Sequence, residues 1–179
     1  IRDLINRYKT DARVEELCKA LLHQRASKVQ LKGLVGSADA IVAMASYFQL
    51  HLPQLFILPN REEAAYFLSD LESILEKEVL FFPSSYRKAF EFTQADSGNL
   101  LARAEVLSEL IHRESHGKHI VTYPEAIAEK VVDRAALEKN TLSIQVGAKL
   151  SISFINEFLQ DFDFERSDFV YEPGQFSIR

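Results

Sequence analysis

Apolar residues fall along most of this chain in two alternating rhythms. Short runs of adjacent apolar residues mark strands, and longer stretches with an apolar residue every third or fourth position mark helices. Asp11 sits where it can cap a helix that carries Val14, Leu17, Cys18, Leu21 and Leu22 on one face. Residues 29–34 then alternate as a strand, and Ser37 opens a small-residue helix with Ala38, Ile41, Val42, Met44, Ala45 and Phe48. Residues 55–58 form a continuous apolar run, the type buried on both faces of a parallel sheet. Asn60 and Glu63 stand at capping-box spacing before a helix that shows Ala64, Phe67, Leu68, Leu71, Ile74 and Leu75. Residues 79–82 predict a third strand, closed by Pro83. A long polar loop is expected over 84–98, then a helix over about 99–113 with Leu101, Ala104, Leu107 and Ile111 inward. Residues 119–123 predict a fourth strand, and Pro124 the first turn of a short helix.

Strand and helix in repeated alternation imply right-handed crossovers and a parallel sheet. Residues 1–139 are therefore expected to form an α/β domain of the nucleotide-binding type. The rhythm changes after about residue 140. Residues 142–146 alternate as a half-exposed antiparallel strand, Gly147 makes a turn, and 151–159 predict a helix. Residues 169–171 and 176–178 flank Pro173 and Gly174 as a hairpin would. A unit of residues 140–179 alone has a small core and is expected to be incomplete.

Composition narrows the function. Hydrophobic residues make up 47% of the 179 and charged residues 26%, which suits an ordinary folded protein. Lysine and arginine number 21 against 26 acidic residues, a net charge of −5, so no chain-wide basic surface for nucleic acid exists. No apolar run reaches the roughly 20 residues a membrane helix needs, and the first residues lack a secretory pattern. Cys18 is the one cysteine, which excludes an internal disulfide and a cysteine zinc cluster. A cytoplasmic protein without a membrane partner is the default reading. The chain opens on Ile1 and ends at Arg179 within a strand pattern, so a piece of a longer protein is expected.

The stretch around Gly33 has the strand–loop–helix context of a phosphate-binding loop. The motif G-x-x-x-x-G-K-[ST] requires a second glycine, a lysine and a hydroxyl. This chain has Gly33, Gly36 and Ser37, but Ala38, Asp39 and Ala40 stand at those three places. Asp39 puts a carboxylate where phosphates would lie, and two like charges about 4 Å apart repel by about 4 kcal/mol at an effective dielectric near 20. A loop that only joins strand to helix is the expectation; ATP binding through a divergent loop is the alternative.

Other clusters have plain readings. His112, His116 and His119 have spacing that could hold zinc, but suit a solvated helix end better. Glu62, Glu63, Asp70 and Glu72 fit the polar face of one helix, and Cys18 fits a core. Phe81, Phe82, Tyr86, Phe90 and Phe92 lack the basic interleaving of a base-stacking surface. No catalytic or metal site is expected. Arg166, Asp168 and Arg179 are evenly balanced between edge-protecting charges and a surface for an acidic partner.

Three motifs in order resemble the N-terminal, UvrB-like region of bacterial transcription-repair coupling factors. They are the degenerate loop from Gly33 to Ser37, the arginine-containing helix Leu101-Ala102-Arg103-Ala104-Glu105-Val106-Leu107, and the tail. The tail, Phe164-Glu165-Arg166-Ser167-Asp168 and then Gly174-Gln175-Phe176-Ser177-Ile178-Arg179, is similar to the family pattern Y-x-R-x-D followed by G-x-F-x-x-R. UvrB itself, a DNA-repair protein, fits less well: its phosphate loop is intact, and it carries a long aromatic hairpin for which only residues 84–98 are present here. The resemblance implies a degenerate RecA-like parallel sheet with helices on both faces over 1–139. The start of a small α+β domain that docks UvrA would follow over 140–179. It also implies that Arg179, Arg166 and Phe176 face UvrA, and that a C-terminal domain of the same protein masks that face at rest. Stalled RNA polymerase, double-stranded DNA, ATP and magnesium would be handled by other domains, and this segment would hold no cofactor. An ATPase domain like that of UvrB or a helicase is the alternative.

Overall fold

A computed structural model describes residues 1–23, 28–86, 96–111, 118–142, 144, 146–171 and 174–178. The chain divides into two units, one of residues 1–84 and 102–129, the other of residues 85–101 and 130–179.

The first unit is α/β. Its elements are α1 (Arg2–Lys9), α2 (Ala12–His23), α3 (Ala38–Leu50), β1 (Gln54–Ile57), α4 (Arg61–Leu75), β2 (Leu80–Phe82), most of α5 (Ser97–Ile111), β3 (His119–Thr122) and α6 (Pro124–Ala128). The three strands pair in parallel in the order β1-β3-β2, with Phe56, Val121 and Phe81 in one row. Neighbours in that row point to one face, where they meet Ala40 and Met44 of α3 and Ala64, Phe67 and Leu71 of α4. Leu55, Ile120 and Leu80 point the other way.

Local chemistry sets the element ends. Asn60 Oδ1 accepts the Glu63 N–H at 2.9 Å while its amide donates to the Glu63 carboxylate at 3.1 Å, the reciprocal cap expected from the spacing. Such a cap contributes about 1 kcal/mol. Asp11 accepts from the backbone and the guanidinium of Arg13, which hold its carboxyl down at about 2. His51 and Glu76 end α3 and α4 in the left-handed region and return their N–H groups to Tyr47 and Glu72. Cys18 packs with Val14, Val42 and Ala45 in a second cluster, as a core cysteine, and burial pushes its thiol up.

Three expectations change in this unit, and one element is added. Residues 28–35 form no strand, and Val29, Leu31 and Leu34 are exposed. The run at 55–58 is not buried on both faces: β1 is an edge strand with Leu55 58% and Ile57 56% exposed. A continuous apolar run cannot distinguish a central strand from an edge strand with one uncovered face. The buried residues of α5 are Asn99, Arg103 and Val106; Leu107 and Ile111 are half-buried as expected, while Leu101 and Ala104 are exposed. Arg103 took the buried place because its donors find carbonyls there, which apolar spacing does not register. Finally, α1 was not anticipated; Ile5 is its one buried residue.

The second unit contains α7 (Arg134–Lys139), α8 (Ile152–Asp161), β4 (Glu165–Arg166) and β5 (Gln175–Phe176). Asp133 caps α7 and Ser151 caps α8. The hairpin of 169–171 with 176–178 is replaced by a parallel pairing of β4 with β5, with Arg166 opposite Phe176. Eight residues separate the two strands. Residues 142, 144 and 146 carry no strand; 143 and 145 lie outside the described residues.

Candidate functional site

The loop at Gly33 leads through a turn at Gly36 and Ser37 into α3. Gly33 and Gly36 take φ of +82° and +59°, where side chains other than glycine are strained. Val35 is 83% exposed between them. The turn closes with the Ala38 N–H donating to the Val35 carbonyl at 3.3 Å. Ser37 precedes α3 without using its hydroxyl as a cap. The free N–H groups of a helix's first turn are what a phosphate binds. Here the Ala40 N–H donates to the Asp39 carboxylate at 2.7 Å, so a side chain of the helix's own first turn already takes one. Ala40 itself is fully buried in the core, so a hydroxyl-bearing residue there would face apolar neighbours. The loop borders an open cavity of about 650 Å³ whose lining mixes Asp11 and Glu16 with Arg13 and Lys32. Residues 28–35 supply no strand to pin the turn.

The partner-facing residues of the tail come together in part. Arg166 on β4 and Phe176 on β5 are register partners; the arginine is exposed and the phenylalanine buried. The Glu165 and Ser167 N–H groups donate to the Gly174 and Phe176 carbonyls at 2.8 and 2.9 Å. Ser177 ties the intervening loop by donating to the Asp168 carbonyl at 3.1 Å. Gly174 takes φ of +94°, which explains its place just before β5. Arg179 lies outside the described residues. Among the described residues the arrangement offers one exposed guanidinium on a strand pair held in register by its backbone hydrogen bonds.

The remaining candidates have structural roles. Glu63 completes the α4 cap, and Glu72 accepts the Val79 N–H at 3.3 Å. Phe81 and Phe82 pack against the core; Phe90 and Phe92 lie outside the described residues. His112 and His116 lie outside them too, while His119 is buried within β3. Among the described residues no group of three or more metal-ligating side chains converges.

Two buried polar side chains were missed as local centres. Arg103 is 5% exposed; it donates to the carbonyls of Pro83 at 2.7 Å and Ala126 at 3.1 Å and lies 4.2 Å over the Phe82 ring. It thereby joins α5 to the ends of β2 and α6, with the Glu129 carboxylate 3.5 Å away. Beside it, Tyr123 Oη accepts the Ser84 N–H and Thr122 Oγ1 donates to the Phe82 carbonyl, both at 2.8 Å. His119 is the second, packed edge-on to Tyr47 at 4.3 Å. An arginine or histidine among otherwise apolar positions was the available signal for both.

No family model matches the chain. It is 30% identical over 160 residues to a transcription-repair-coupling factor of Bacillus subtilis, covering 88% of this chain and 13% of that protein. It is 29% identical over 140 residues to a transcription-repair-coupling factor of Rickettsia typhi, covering 74% of this chain and 12% of that one. The chain thus spans only a small part of the length of these relatives. Among the described residues no helix is long and apolar enough to cross a membrane. By similarity over most of its residues, the chain matches a segment of the transcription-repair-coupling factors, the family its loop, helix and tail motifs resemble.

Proposed function

We propose that this chain is a non-catalytic segment of a transcription-repair-coupling factor that recruits UvrA to RNA polymerase stalled at damaged DNA. The observation that carries the reading is the 30% identity over 88% of the chain to a protein of that name. In this reading residues 1–139 are a degenerate RecA-like domain and residues 140–179 the first part of a UvrA-binding domain. The parallel order β1-β3-β2 is compatible with the former. The whole protein acts in the cytoplasm as an ATP-driven DNA translocase. Other domains hold ATP and magnesium, double-stranded DNA and the polymerase, and its C-terminal domain masks the UvrA face until the polymerase is engaged. Arg166, exposed beside buried Phe176, gives UvrA a charged contact, with Arg179 as a second.

The alternative, an ATPase domain like UvrB, is disfavoured by the Asp39 carboxylate on the Ala40 N–H and by the buried Ala40. A titration of purified UvrA with this chain, repeated with a fluorescent ATP analogue, separates the two. UvrA binding that weakens with salt and falls about tenfold or more in Arg166→Glu is expected; one lost charge-assisted contact corresponds to about 1.5–3 kcal/mol. Unchanged binding in Arg166→Glu removes that residue from the interface. Nucleotide binding without UvrA binding replaces this reading with the ATPase one.

A further inference from the structure

A hollow of about 290 Å³ opens at the start of β2 and β3. His119 lines it, is 3% exposed, and neither of its ring nitrogens has a hydrogen-bond partner among the described residues. Buried polar atoms are nearly always partnered, so an unpartnered imidazole beside a cavity marks a place for a ligand or water. Packing fixes the ring: Tyr47 meets it edge-on at 4.3 Å, and Phe56 lies 6.3 Å away. The charged groups on the hollow are Lys77, Glu78, Glu109 and Lys118. Lys118 and Glu109 pair with each other, which leaves Lys77 and Glu78 at the rim. The charge acting on the imidazole is that of Lys77, which with the larger effect of burial holds His119 down at about 4. Lys77 thus places a positive charge near the ring, and the imidazole N–H is an open donor among the described residues.

We propose that this hollow is a small-oxyanion site, in which the Lys77 ammonium and the His119 imidazole hold a phosphate or carboxylate group. An anion there partners the imidazole N–H and offsets the Lys77 charge. It thus favours the protonated ring and binds more tightly as pH falls. Glu78 is the opposing charge, so its removal strengthens binding.

The test is an NMR titration of the histidine ring nitrogens of the whole chain with sodium phosphate, and separately with sodium acetate, against sodium chloride at matched ionic strength. A saturable shift of the His119 signals is expected, with its pKa raised by about one unit, corresponding to tenfold stronger proton binding. The response should weaken in Lys77→Gln and strengthen in Glu78→Gln, both exposed positions whose folding a thermal melt checks. Saturation by phosphate alone identifies a phosphate site, and by acetate alone a carboxylate site. His119 signals that move with neither ion, or that move equally in Lys77→Gln, overturn the proposal and leave the hollow to water.

Discussion

Arg103 and His119 show how differently two buried polar side chains are accommodated. Arg103 Nη1 is matched to two carbonyls and the guanidinium to an aromatic face, which compensates its burial in large part, while Nη2 has no hydrogen-bond partner among the described residues. Arg103→Leu leaves the Pro83 and Ala126 carbonyls without this donor and should cost about 3 kcal/mol, read as a lower urea midpoint. Arg103→Lys should recover less than half of that, because an ammonium on a shorter stem does not reproduce the planar guanidinium that lies over the Phe82 ring while its Nη1 reaches both carbonyls. His119 is buried and neutral instead. Its pKa falls from 6.5 to about 4, so the unfolded chain binds the proton more readily than the folded one. Stability is therefore full above pH 6.5 and is lost as pH drops toward 4, by roughly 3 kcal/mol at most. His119→Phe should remove that acid-side loss in urea melts repeated across pH, apart from what the carboxylates contribute. Sequence inspection placed both residues within elements but did not reveal their burial, because hydrophobic spacing treats charged residues as solvent-facing.

At the scale of elements, helix chemistry was more legible than strand context. The Asn60 cap, the apolar face of α4 and the strand character of residues 80–82 and 119–122 follow from local patterns and are observed. The exposure of β1 is not local: it depends on which strand lies beside it. Leu71 and Leu55 carry the same side chain into opposite surroundings, one fully buried and the other 58% exposed. Leu71→Ala should cost about 3 kcal/mol, whereas Leu55→Thr should stay within about 0.5 kcal/mol, both by equilibrium unfolding. Equal losses would mean that the outer face of β1 is covered in solution. The pairing of β4 with β5 departs from the expected hairpin for a related reason. Pro173 and Gly174 suggested a tight reversal, but the backbone pairs residues 165–166 with 175–176 across a longer loop.

For the molecule as a whole, the loop at Gly33 is where the proposed binding module and the alternative nucleotide enzyme make opposite predictions. Asp39→Lys restores the motif's charge but neither its second glycine nor its hydroxyl, and residues 28–35 form no strand to hold the turn. This variant should still fail to bind a fluorescent ATP analogue at micromolar concentration; binding would show that charge alone had silenced the loop. The alternation of strands and helices, the single cysteine, the loss of the lysine and hydroxyl from the phosphate motif, and the family resemblance were all available from the sequence, because each rests on residue type and spacing. The sheet order, the edge position of β1, the burial of Arg103 and His119, and the register that sets Arg166 beside Phe176 came only with the tertiary structure. Each depends on which distant segment supplies the neighbour, and a carbonyl, a ring or a strand brought from elsewhere in the chain leaves no mark in the local pattern.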